Sequence, residues 1–262
     1  MTSDDPTTTD ESMTVNESMT SDPSAEPTIT PETTVGQLVA QQPSRSRVFE
    51  HLGIDYCCSG GRTLAEACEK QDLDVKTAIR MLEAGADQTE ANKRDWTSAP
   101  LGDLIDHIES THHAFLRREL PRLDEHLEKV CRVHGDDKPW LHDVREVFNH
   151  LRPHLLRHTE KEETIVFPYI RQLLGEDVEA DTLALGGQPM KMMEREHDDA
   201  GEALQHIRDL TDDYTIPEGA CATLRATIDG LRELEEDTHR HVHKENHILF
   251  ERARSLESEE VA

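Results

Sequence analysis

The chain has 262 residues, enough for one or two domains with sizeable cores, and 55 acidic against 28 basic residues give it a net charge of −27. That acidity argues against nucleic acid or an anionic membrane as partner, since neutralising phosphate takes Lys and Arg. No stretch has the length of a transmembrane span or the basic and apolar regions of a signal peptide, so a cytoplasmic protein with no membrane association is expected.

Residues 1–32 are mostly Thr, Ser, Asp, Glu and Pro, with eight acids and no base. They cannot bury enough apolar surface to order themselves, and a disordered acidic tail is expected. Short helical phrases begin at Thr34, which reads as the N-cap of Val-Gly-Gln-Leu-Val. Arg47 to Gly53, a capping box at Thr63 with Glu66, and Asp74 to about Glu83 follow. Between the second and third phrases stands Asp55-Tyr-Cys57-Cys58-Ser-Gly60-Gly61, where glycines after paired cysteines imply a tight turn that presents the thiols. Residues 33–90 read as a small helical Cys-Cys domain, too small to be robust alone, which leaves docking or homodimerisation open. Residues 91–99 read as a flexible polar linker.

Four long helical phrases occupy residues 100–256. The first runs to about Val133 with a kink expected at Pro121, and the second runs from Pro139 to Leu174, with interruptions expected at Pro153 and Pro168. The third runs from about Pro189 to Asp212 and the fourth from Pro217 to about Arg254. An all-α fold with an up-down-up-down four-helix bundle is the natural packing.

The second and fourth phrases carry one motif twice: His158-x-x-x-Glu162 before Ile165-Val-Phe167, and His241-x-x-x-Glu245 before Ile248-Leu-Phe250. Positions i and i+4 share a helix face, so His and Glu can hold one ion together. One such pair is more often an exposed ion pair. Here both lie on apolar stripes, with Leu151, Leu155 and Ile165 around His158 and Leu234 and Ile248 around His241. Inward carboxylates demand a cation. At about 1.5 Å per residue, His113, His158, Glu162, His197, His241 and Glu245 fall at one height of an antiparallel bundle, whereas His134 lies roughly 31 Å beyond His113. Periodicity alone does not separate His112 from His113. Four His and two Glu suit two bridged ions better than one, iron being preferred with manganese open. For His51, His126, His142, His150, His206, His239 and His247 the surface reading is favoured.

This set, with Asp55-Tyr-Cys-Cys-Ser-Gly-Gly, Glu196-His197-Asp-Asp-Ala-Gly201 and Glu162-Glu-Thr-Ile-Val-Phe-Pro168, resembles the hemerythrin-like di-iron proteins of the RIC family from about Thr34 to Arg254. The resemblance implies two non-haem irons on those six residues, choosing His113 over His112. It also implies repair of iron–sulfur clusters damaged by nitric oxide or oxidants, with damaged iron–sulfur proteins as partners. The long acidic tail and the additional His243 and His247 depart from the pattern. Oxygen-carrying hemerythrins, by contrast, place a second His one turn after the third-helix His, where this chain has Gly201. One ligand fewer implies an open or labile position on iron.

Cys68, Cys131 and Cys221 read as inert packing residues on helices. For Cys57 and Cys58 the resemblance implies a redox or iron-handling role, and their glycines imply accessibility. The competing reading is a hemerythrin-like sensor or carrier of oxygen or nitric oxide. Turnover of nitric oxide at the centre is left open.

Overall fold

A computed structural model describes residues 29–84, 94–178 and 183–260. Among them the secondary structure is helical apart from one isolated bridge between Thr34 and Thr63. None of these helices is long and apolar enough to cross a membrane.

The N-terminal unit contains α1 (Val35–Gln41), α2 (Arg45–His51), α3 (Leu64–Lys70) and α4 (Val75–Ala84). The hydroxyl of Thr34 accepts from the amide of Gln37 at 3.3 Å, and Thr63 with Glu66 forms the complete capping box, so the first turns of α1 and α3 have partners for otherwise orphaned amides. Leu38, Phe49, Tyr56, Leu64 and Leu82 form its core, which also takes in Val242 from a long helix. The expected tail lies mostly outside the described residues. Its last residues are built into this unit: Ile29 is buried, and the carbonyl of Pro31 accepts from the amide of Ala65 at 2.9 Å. An apolar anchor at Ile29 ends the polar run earlier than composition suggested. Residues 91–93 of the expected linker likewise fall outside the described residues.

Four long helices follow. We number as α5 the run Leu101–Ile108, Glu109–His113 and Ala114–His134, and as α6 the run Trp140–Lys161, Glu162–Val166 and Phe167–Leu173. Helix α7 is Gln188–Leu210, and α8 is Ala222–Lys244, Glu245–Leu249 and Phe250–Glu260. Helix α5 packs on α6 and α8, and α7 packs on the same two. Cross-links fix the directions. Cys131 meets Leu141 while Arg117 meets Glu163, and Arg208 meets Glu235 while Glu194 meets Arg254, so neighbours run antiparallel.

The middle runs of α5, α6 and α8 are π-helical turns. Such single turns widen the helix and shift its side-chain phase. In two of them a hydroxyl takes the carbonyl four residues back: Ser110 Oγ lies 2.6 Å from the Asp106 oxygen and Thr164 Oγ1 lies 2.7 Å from the Glu160 oxygen. This back-bonding competes with the α-helical ladder where it opens. The phase shift also corrects the expected stripe, since Ile165 is exposed and Val166 is buried in its place.

Pro153 and Pro121 lie inside helical runs rather than ending them. Each lacks an N–H and so removes one ladder bond, but buried Leu151 and Leu155 beside Pro153 and Leu120 and Leu123 beside Pro121 hold those turns through tertiary packing. Pro168 falls at the start of the helical run after the π turn, where it is tolerated.

The bundle interior is divided. One apolar cluster holds Leu120, Leu123, Phe148, Leu155, Leu204 and Leu231, and another holds Leu104, Ile108, Phe167, Met193, Ile248 and Phe250. Between them lies a polar layer.

Candidate metal centre

That layer contains all six residues expected from the level argument, and each is at most 3% exposed. His113 closes the π turn of α5, while Glu162 and Glu245 open those of α6 and α8. His113, Glu162, His241 and Glu245 bring ligand atoms within 4.8 Å of one another, and so do His158, Glu162, His197 and Glu245. The two carboxylates belong to both groups. His134 joins neither group; it closes α5 near Cys221, as its distance along the helix required.

The tautomers follow from the outer contacts. His113 donates through Nδ1 to Glu163 at 2.7 Å, His158 to Glu196 at 3.0 Å, and His197 to the side-chain oxygen of Asn246 at 2.9 Å. An acceptor at Nδ1 holds the proton there and turns the Nε2 lone pair inward. Inside the layer, Nε2 of His158 lies 3.0 Å from Nε2 of His197, and Nε2 of His113 lies 3.2 Å from that of His241. The carboxylates are as close, with His158 2.9 Å and His113 3.2 Å from Glu162, and His241 3.0 Å and His197 3.1 Å from Glu245. Both oxygens of Glu162 and Oε2 of Glu245 are buried without a hydrogen-bond donor. A closed shell of acceptors facing one another is unfavourable unless positive charge sits among them.

The proton affinities express the same demand. Without metal, the imidazoles take a second proton on the inward Nε2; burial pushes the Glu162 carboxyl up, but the charge and bonds of these protonated His158, His113 and His197 outweigh it and hold it well below the usual range. Burial lowers His158, yet Glu162 reverses that and raises it to about 9; His197 is likewise raised well above its ordinary value against burial, by bonds to Glu162 and Glu245. Protons or metal ions can meet the demand, and a metal must displace the protons to bind. Imidazole and carboxylate without thiolate fit a first-row divalent ion.

His112, which periodicity could not separate from His113, faces elsewhere. Its Nδ1 lies 3.1 Å from the Asp237 carboxylate, its Nε2 lies 2.8 Å from Lys244, and its ring stacks on His241 at 5.4 Å between centroids.

The paired thiols are not remote from this layer. The turn carrying them sits against α7 and α8, with Cys58 Sγ 3.4 Å from the backbone oxygen of His197. A Cβ at Gly201, one turn after His197, would stand 3.3 Å from that sulfur, so Cys58 covers this position. Cys57 is buried, contrary to the accessibility expected from its glycines, and Cys58 is half-buried. Cys57 Sγ lies 3.7 Å from Cys58 Sγ and 3.2 Å from Asp55 Oδ1; the Cys58 bond, burial and the Asp55 charge together push the Cys57 thiol well up.

Three further histidines of α8, His239, His243 and His247, meet the N-terminal unit. His247 Nε2 meets the Cys57 oxygen at 2.7 Å, His243 Nε2 meets the Gly36 oxygen at 3.0 Å, and the rings of His239 and His243 pack on Tyr56. The surface reading therefore fails for His239 and His247 because a neighbouring unit covers them. It holds for His51, His142, His150 and His206, while His126 is half-buried. Cys68 and Cys131 are buried as expected, but Cys221 is exposed as the N-cap of α8. The residues that sequence reasoning missed are Glu163, Glu196 and Asn246. Each stands directly beside a candidate ligand in sequence and serves a ligand on another helix, and that adjacency was the available signal.

Two families match this chain. The hemerythrin HHE cation binding domain covers residues 103–253, and a domain described as of unknown function (DUF542) covers residues 31–86. The iron-sulfur cluster repair protein YtfE of Pectobacterium carotovorum subsp. carotovorum is 37% identical over 222 residues, 85% of this chain and 96% of that relative. Its namesake in Escherichia coli O157:H7 is 39% identical over 219 residues, 84% of this chain and 95% of the relative. YtfE of Citrobacter koseri is 38% identical over the same shares.

Proposed function

This chain belongs to the family of iron–sulfur cluster repair proteins built on a hemerythrin HHE domain, and from that premise we propose that it restores damaged clusters with a pair of iron ions held in the polar layer. His113 and His241 would hold one ion and His158 and His197 the other, with Glu162 and Glu245 shared between them. Iron bound there supplies redox change and exchangeable ligation. The protein's own residues do the rest. Glu163, Glu196 and Asn246 orient three imidazoles by holding their outer protons, and the apolar clusters above and below keep water from the layer. Cys57 and Cys58 are the candidate groups for handling iron at the edge of the layer.

The observation that carries this reading beyond cation binding is the seat of Cys58 against the carbonyl of His197. A sensor or carrier of oxygen or nitric oxide has no need of a thiol pair at that place. The test is restoration of aconitase activity after nitric oxide damage: protein loaded with iron(II) restores it and metal-free protein does not. Equal recovery with both would sink the reading.

A further inference from the structure

Of the three candidate-ligand imidazoles whose outer nitrogen meets an acceptor, two meet carboxylates and His197 alone meets an amide. A carboxylate draws the Nδ1 proton strongly and makes Nε2 a better donor to a metal; a neutral amide does so less. The Asn246 amide also faces two ways. Its oxygen must accept from His197, which turns its NH2 end toward the Cys57 oxygen at 3.5 Å, where His247 also donates at 2.7 Å. The thiol turn thus touches His197 twice, at its ring through Asn246 and at its backbone through Cys58 Sγ, 3.4 Å from the carbonyl. An aspartate at 246 would serve the ring but set a second acceptor against the Cys57 carbonyl. Only an amide serves both.

We propose that Asn246 is a positioning residue that makes His197 the adjustable ligand of the centre. The ion held by His158 and His197 is the exchangeable one, and how firmly it is held follows the seating of the Cys57–Cys58 turn. The proposal rests on the reading of His158, Glu162, His197 and Glu245 as ligands of one ion.

Full-length protein loaded with iron(II) without oxygen is mixed with excess iron(II) chelator, and release is followed by the colour of the chelate. The parent releases its ions in two phases. Asn246→Asp, which keeps the ring acceptor, slows the faster phase about tenfold, and Asn246→Ala speeds it about 10–100-fold, the range expected when an outer partner of a ligand changes. The slower phase moves by less than about twofold in both variants, since His113 and His241 do not touch Asn246. His247→Ala, which loosens the turn without touching His197, speeds the faster phase in the parent background and leaves it unchanged in the Asn246→Asp background. Parent rates in Asn246→Ala, equal changes in both phases, or a His247→Ala effect that persists with Asp at 246 would each overturn the proposal. If Asn246→Ala does not fold, the cycle of His247→Ala with Asn246→Asp decides it. A parent that takes up no iron overturns the ligand reading itself, whereas a parent with two ions and a failed cycle overturns this proposal alone.

Discussion

The bundle buries carboxylates in two places and treats them differently. Near the C-terminal end of α7, Glu235 of α8 is 1% exposed, and Arg208 meets it through Nη2 and, at 3.2 Å, through Nε. Burial pushes the Glu235 carboxyl up and Arg208 draws it back, so the charge has its own cation within the chain. In the polar layer, Glu162 and Glu245 are wholly buried and face four imidazoles, with no Arg or Lys among their partners. The lesson is chemical. A buried carboxylate with a guanidinium is part of the frame, and one enclosed by other acceptors is a place for an ion.

The contrast can be broken most sharply at Glu162. Glu162→Ala removes a carboxylate shared by both ligand groups, and bound iron measured by elemental analysis should fall below one per chain; Glu245→Ala should behave alike. Full occupancy in both would remove the bridging assignment. Arg208→Met tests the other region. It strands Glu235 without a cation, which should cost about 3–5 kcal/mol in denaturant unfolding while iron per folded chain stays at the parent level.

A smaller effect sharpens the view of the outer contacts. The bond to His158 holds the Glu196 carboxyl down at about 2. A depressed carboxyl contributes stability that is present above its ordinary value near 4.5 and lost as pH falls toward 2. Metal-free parent should therefore lose up to about 3 kcal/mol more than metal-free Glu196→Gln across that window, read by denaturant midpoints. Equal pH profiles would detach Glu196 from His158. The smallest expected effect is at His134, where His134→Ala should leave iron content unchanged.

The candidate ligand residues were legible because helix periodicity converts sequence spacing into height and direction. His158 with Glu162 and His241 with Glu245 follow from the i,i+4 geometry of a helix, and the exclusion of His134 follows from its rise. The choice between His112 and His113 was not legible: they are neighbours in sequence, and their separation depends on Asp237 and Lys244 of another helix taking His112. The exposure of Ile165 was missed because the expected stripe assumed an α-helical phase through a turn that is π-helical.

The sequence by itself determined the helical class, the caps at Thr34 and Thr63, the repeated His-x-x-x-Glu motif and the layer it occupies, since all of these are local or follow from regular rise. Only the tertiary structure decided which outer partners hold His113, His158 and His197, where Cys57 and Cys58 sit, and what His243 and His247 contact. Cys58 and His197 are 139 residues apart, and no local preference records their contact. It exists because the Cys-Cys unit completes its core with Val242 of α8, and burying that shared apolar surface draws the thiol turn onto the ligand layer.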